Sequence, residues 1–168
     1  TKTAASFWPL LAGICDEAQK DALVEHVRNP AEFGRPIPAP TLSADDPNYS
    51  EDGAYWVGGV WPPTNYMIAR GLMTAGRGDA AHELAVKYLA GLARTWAAVE
   101  PHTIWECQCP EADRPGQRPY EREWVKPEFV GWGGIGPISM LIENVLGIDV
   151  NAPERRVEWT IRLTGRHG

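Results

Sequence analysis

The sequence predicts an all-α chain of helical hairpins joined by long loops, with one short strand near its C-terminal end. Three observations carry that reading. Apolar residues recur at helical spacing in several stretches, and two long stretches between them are rich in Pro, Gly and Trp. A strict apolar–polar alternation occurs close to the end. At 168 residues the chain corresponds to about one domain.

Ser6 to Ile14 is apolar, with a Pro placed to sit near a helix start. Asp16 opens the next helix, which runs through Arg28. Asp16 with Gln19 fits a capping box, Leu23, Val24 and Val27 form the buried stripe, and Asn29-Pro30 ends it. From Gly34 to Gly59 no regular element fits. A 26-residue connection of this kind is either functional or disordered, and Tyr49, Tyr55 and Trp56 favour order and function. Trp61 to Ala75 reads as a helix started by Pro62-Pro63. After the break at Gly76-Arg77-Gly78, Asp79 is expected to cap a helix reaching about Val99. Its apolar stripe is Leu84, Tyr88, Leu92, Trp96 and Val99, and the two helices make an αα-hairpin. Glu100 to Gly134 is irregular again. Pro137 to Leu146 is apolar nearly all round, which predicts burial on all sides, and Gly147 stops it. Val157 to Leu163 alternates as a strand.

A formal net charge of −6, with scattered basic residues, argues against a nucleic-acid partner. No apolar run approaches the ~18 residues of a membrane span, and no signal peptide is visible. The first residue is Thr1 rather than Met, so a processed, trimmed or excerpted chain is expected. Three cysteines, Cys15, Cys107 and Cys109, make no disulfide framework, although a pairing of Cys15 with either of the others stays open. His102, Glu106, Cys107 and Cys109 fall within eight residues but lack the paired spacing of a zinc site, so no metal is expected. His26, His82 and His167 have no evident partners in the sequence and read as surface residues. Eight Trp, with 17 Gly and 15 Pro, suit either a core filled by indoles or loops that stack on the apolar face of a pyranose.

Two stretches carry a resemblance. TLSADDPNYSEDGAYWVGGVWPPTNYMIARGL, from Thr41 to Leu72, resembles a segment of inverting glycosidases with an (α/α)6 barrel. That group holds the trehalases, the family 63 α-glucosidases and the mannosylglycerate hydrolases. TIWECQCPE from Thr103 and FVGWGGIGPISMLIENVLGIDV from Phe129 resemble the same enzymes' Trp-Glu loop and closing helix. The resemblance covers nearly the whole chain and implies the C-terminal part of such a barrel. Residues 1–153 would be partial barrel, and 154–168 the strand and tail of the same domain. It departs from the motif at Val57, where Arg is usual, and at Gly59, where Pro is usual, a change expected to loosen the turn.

The resemblance implies that Glu106 is the general base, one of the two carboxyl groups that flank the anomeric carbon in an inverting enzyme. No stretch matches the family's general acid, an Asp on an earlier hairpin. Tyr55, Trp56 and Trp61 are candidates for a stacking wall, with Trp105 beside the base and Trp132 at the pocket floor. Asp46 either shapes the sugar site or forms an Asx turn before Pro47. The implied activity is cofactor-free hydrolysis of an α-linked glucoside or mannoside, with an oligosaccharide or small glycoside as substrate. A non-catalytic carbohydrate-binding or scaffolding module remains the alternative. Helices taken from such a barrel would expose apolar surface, so pairing with the N-terminal part or self-association is expected.

Overall fold

The computed structural model describes residues 1–163 and Gly165; Thr164, Arg166, His167 and Gly168 of the predicted tail lie outside the described residues. A 3-10 turn, Ala4–Phe7, runs into α1 (Trp8–Leu11), followed by α2 (Glu17–Arg28), α3 (Pro62–Thr74), α4 (Gly78–Ala98) and α5 (Val130–Met140). A π-helical turn, Leu141–Val145, leads into a hairpin of β1 (Ile148–Asn151) and β2 (Arg156–Trp159).

Helix α3 is the centre of the packing: α1, α4 and α5 all lie against it. Its buried face is Ile68, Ala69 and Leu72, and Leu84 and Tyr88 meet it from α4. Phe7 and Phe33 close the core edge to face, their centroids 5.0 Å apart. The capping box of α2 forms as its sequence predicts: the Asp16 carboxylate accepts from the Gln19 amide at 2.8 Å, and Gln19 Oε1 accepts from the Asp16 amide at 2.9 Å. Val24 and Val27 are buried on α2, and Leu23 packs at the edge of the core.

The long connection before α3 is ordered by specific bonds. The Ile37 amide reaches Pro110 O, and the Thr41 amide reaches Gly59 O. Arg35 grips Glu111 through two bonds of 2.7 Å, and the Tyr49 hydroxyl donates to the same carboxylate at 2.6 Å. Buried Asn65 donates to Ala39 O and Trp61 O, tying this loop to the first turn of α3.

Four expectations are corrected. Asp79 does not cap α4. The helix begins at Gly78 with Arg77 as N-cap, and Asp79 sits in the first turn, paired with Arg162 at 3.0 Å. Trp96 is half exposed, and the buried stripe of α4 turns through Gly91 and Thr95 instead. The strand is shorter than predicted and is one arm of a hairpin, pairing with β1 in the register Ile148–Trp159 to Asn151–Arg156.

The fourth correction concerns α5. It begins at Val130, seven residues before the predicted start, and carries Pro137 inside it. Packing overrides propensity here. A Cβ on Gly136 would lie 3.0 Å from Pro62 O and 3.4 Å from the Tyr66 Cβ, so the absent side chain lets α5 press against α3. Burial is one-sided. Gly133, Gly136, Pro137 and Met140 face the core, whereas Ile135 and Ile138, and Ile142 of the following π-helical turn, are exposed. Among the described residues no helix is long and apolar enough to cross a membrane.

Replacing Gly136 by Val should force α5 away from α3. An unfolding free energy lower by about 1–3 kcal/mol is expected, read as a reduced urea midpoint with helix content largely kept. An unchanged midpoint would contradict the close approach.

Candidate functional site

The site is built where two loops meet. The 105–109 segment bends at Glu106 and Cys107 and meets Val60 at Gln108 in an isolated antiparallel bridge, with the Gln108 amide donating to Val60 O and the Val60 amide to Gln108 O, both at 2.9 Å. Residues 54–59 form a 3-10 turn, Tyr55–Val57, immediately before α3. Pro62 and Pro63 start that helix, so Trp61 is fixed as its N-cap.

Glu106 is 7% exposed, which sets it apart from an ordinary surface carboxylate. The Tyr55 hydroxyl donates to its Oε1 at 2.8 Å. That bond, with burial, raises the pKa of Tyr55 above its ordinary value, so the phenol keeps its proton and remains a donor. The backbone of Glu106 is held by its amide donating to Lys126 O at 3.0 Å.

An aromatic series extends from this carboxylate. Tyr55 meets Trp61 edge to face at 4.8 Å, and Trp56 stacks on Trp61 in parallel planes at 4.5 Å. Trp132, in the first turn of α5, lies 5.2 Å from Trp61. Trp61 is buried, and its Nε1 donates to Tyr55 O at 3.2 Å; Trp56 and Trp132 are half exposed. Trp105 is buried with Trp61, Cys107 and Val125 in a small second cluster. The predicted residues Glu106, Tyr55, Trp56, Trp61, Trp105 and Trp132 are therefore gathered in one place.

Asp46 stands apart. Its carboxylate accepts from the Asn48 amide at 3.0 Å and from the Asn48 side chain at 3.1 Å, an Asx turn around Pro47. The backbone bond from Asn48 holds its pKa below the ordinary value. Val57 is exposed at the edge of the site. Gly59 does not loosen its turn as expected. A Cβ there would lie 2.4 Å from Tyr55 O and 2.9 Å from the Cys107 sulfur, so the position is closed to any side chain.

The residues weighed as metal ligands do not converge. His102 bonds to Trp96 O and pairs with Glu100, whereas the Cys109 thiol points to Glu51 O. Burial pushes the Cys107 thiol well up, which makes it unreactive. All three cysteines are free. Among the described residues no three His, Cys, Asp or Glu side chains form a candidate metal cluster.

Sequence reasoning missed two aromatics of the site. Trp124 meets Trp105 edge to face at 5.8 Å, and Phe129 meets Trp132 at 6.3 Å. Trp124 shared the Trp-rich composition of its loop and was findable on that ground. Gln108 gave no signal: it is buried, and its side-chain amide has no hydrogen bond among the described residues.

Comparison with known proteins follows the same lines. The family model described as the mannosylglycerate hydrolase MGH1-like glycoside hydrolase domain matches residues 1–124, a span that holds every candidate except Trp132. An uncharacterized protein of Borreliella burgdorferi is 29% identical over 164 residues, 95% of this chain and 34% of that one. The mannosylglycerate hydrolase of Thermus thermophilus is 32% identical over 93 residues, 55% of this chain and 22% of that one. In crystal structures, a GH63 mannosylglycerate hydrolase of Thermus thermophilus in complex with Tris matches with a TM-score of 0.63 and 23% identity, over 83% of this chain and 29% of that one. Its complex with glucose gives 0.61 and 23%, over 83% and 30%. These structural matches carry the fold. The chain spans about a third or less of the length of the relatives it matches. With its fold shared and most of its length matched, the chain belongs to the mannosylglycerate hydrolase MGH1-like family of glycoside hydrolase domains.

Proposed function

We propose that this chain supplies the general base and one wall of the sugar pocket of an inverting exo-glycoside hydrolase acting on α-linked glucosides or mannosides. The observation that carries the reading is the buried Glu106 carboxylate, tethered by the Tyr55 hydroxyl and bordered by the Tyr55–Trp56–Trp61–Trp132 aromatic series. Family membership and the sugar-handling relatives support it.

In this reading Tyr55 fixes one oxygen of Glu106, and the other is left to take a proton from the attacking water. The partner carboxyl group, the general acid, stands across the anomeric carbon at roughly 6.5–9.5 Å and comes from the remainder of an (α/α)6 barrel. The Trp faces hold the apolar side of the pyranose, and the pocket accepts a terminal sugar. A mannosylglycerate-like substrate is one member of this class.

The same reading gives the open face of α5 a role. Ile135, Ile138 and Ile142, with Val157 and Trp159 of β2, are exposed apolar residues of the kind that pack against neighbouring helices in a closed toroid. The upstream part of the barrel is the proposed occupant.

Glu106→Gln, placed in the full-length polypeptide, should lower kcat by about 10²–10⁴-fold while sugar binding is kept. Undiminished turnover would remove the base assignment, and binding without turnover in the wild type would favour a carbohydrate-binding module. Separately, light scattering of the 168-residue chain alone should report self-association. Replacing Ile135 and Ile138 by Lys should shift it towards monomer. A wild-type monomer with cooperative unfolding would contradict the covered-face reading.

A further inference from the structure

We infer that Glu111, held by Arg35 and Tyr49, is a positioning residue for Glu106: it sets the register between the two site loops, so that the Tyr55 hydroxyl meets the Glu106 carboxylate. This rests on the general-base reading above and adds to it the device that places the base.

The two loops lie side by side and run in opposite directions. At the outer end the Tyr49 hydroxyl donates to Glu111 Oε1 at 2.6 Å. Further in, Glu51 O accepts from the Cys109 thiol at 3.2 Å. At Gly53 the backbones touch. A Cβ there would lie 2.9 Å from Cys109 Cα and 3.1 Å from Pro110 Cδ, and the residue holds a φ of +68. At the inner end the Tyr55 hydroxyl donates to Glu106 Oε1 at 2.8 Å. As one loop advances from Tyr49 to Tyr55, its partners step back from Glu111 to Glu106. A tyrosine and a glutamate thus close the pairing at each end.

The outer end is the charged one. Arg35 lays a fork on Glu111, Nε on Oε1 and Nη2 on Oε2, each at 2.7 Å, and its Nη1 reaches Pro30 O. The two side chains are only 25% and 22% exposed, which sets the pair apart from the solvated ion pairs of the surface. Burial alone would raise the pKa of Glu111. The bonds from Arg35 and Tyr49 outweigh it and hold the carboxyl below its ordinary value, so the acceptor stays charged. Burial, with the bond to Glu111, pushes the Tyr49 phenol far up, so it stays a donor. Next to Glu111 the backbone is fixed as well, the Ile37 amide donating to Pro110 O at 2.9 Å.

The place of the cation has a chemical reason. A fork of this kind on Glu106 itself would engage both oxygens and compete for the proton the base takes. On Glu111 it fixes the same segment and leaves Glu106 bonded through one oxygen to a neutral phenol. A slip of the outer pair would move the 106–111 segment along 49–55 and carry Glu106 away from the Tyr55 hydroxyl.

Carbon NMR of the Cζ resonances of the five tyrosines in the 168-residue chain, with Tyr55 assigned through Tyr55→Phe, tests this. In the wild type Tyr55 should ionise above an ordinary phenol, because its hydroxyl donates to Glu106. Glu111→Ala should bring it down towards the ordinary value and shift its resonance at neutral pH. Tyr49→Phe, which removes a single oxygen and keeps the Arg35 pair, should act in the same direction and stays decisive where Glu111→Ala fails to fold. Arg94→Ala breaks the exposed Arg94–Asp113 pair on the same turn and should leave Tyr55 unchanged, which separates register from general loosening. Far-UV circular dichroism checks the fold of each variant. Tyr55 unmoved in either folded variant, or moved equally by Arg94→Ala, would overturn the inference. In the full-length polypeptide Glu111→Ala should lower kcat about 10–100-fold with KM nearly unchanged, and an unchanged kcat would overturn the positioning role. A wild-type polypeptide without glycosidase activity would remove the general-base reading and the positioning role with it, and the tyrosine resonances would then decide the register alone.

Discussion

The absence of a side chain at position 59 is the constraint on which the site depends. The Gly59 amide donates to Tyr55 O at 2.8 Å, and its carbonyl accepts from Thr41. Any Cβ there would run into the Tyr55 carbonyl, the Cys107 sulfur and Trp61 Nε1 together. The 54–59 turn can therefore lie directly on the 105–109 segment, with Val60 and Gln108 pairing beside it. Two consequences follow from this one contact. The Tyr55 hydroxyl comes within reach of Glu106, and Trp56 is laid flat on Trp61.

Much of the fold was legible because the helices obey local rules. The Asp16–Gln19 box, the Pro62-Pro63 start and the Gly147 stop depend on residues next to one another in sequence. The misses have a common cause in tertiary contact. A segment containing Gly131, Gly133, Gly134 and Gly136 has poor helix propensity, and only the close packing against Pro62 and Ile104 makes it helical. Helix α5 looked buried on all sides because its composition is apolar all round, and composition does not say which neighbours are present. β1 escaped notice because four residues, Ile148–Asn151, are too few for alternation to register without their partner strand.

The site divides in the same way. Glu106, Trp56, Trp61, Trp105 and Trp132 were singled out from motif and composition, and the fold brings them together, whereas Trp124 was missed. Gly59 was read in the wrong sense, since replacement of a usual Pro suggests slack, whereas a Cβ there would lie 2.4 Å from Tyr55 O and 2.9 Å from the Cys107 sulfur. Asp46, next to Pro47, followed the ordinary chemistry of an Asx turn.

The most direct measurement of this account is near-ultraviolet circular dichroism of Gly59→Ala beside the wild type. Parallel indoles 4.5 Å apart should give a coupled tryptophan signal in the wild type. The account predicts that Gly59→Ala loses this signal, with the far-ultraviolet helix signal kept, because the turn lifts away from the 105–109 segment. A variant that keeps the coupled signal unchanged would show that position 59 accommodates a side chain and does not hold the site together.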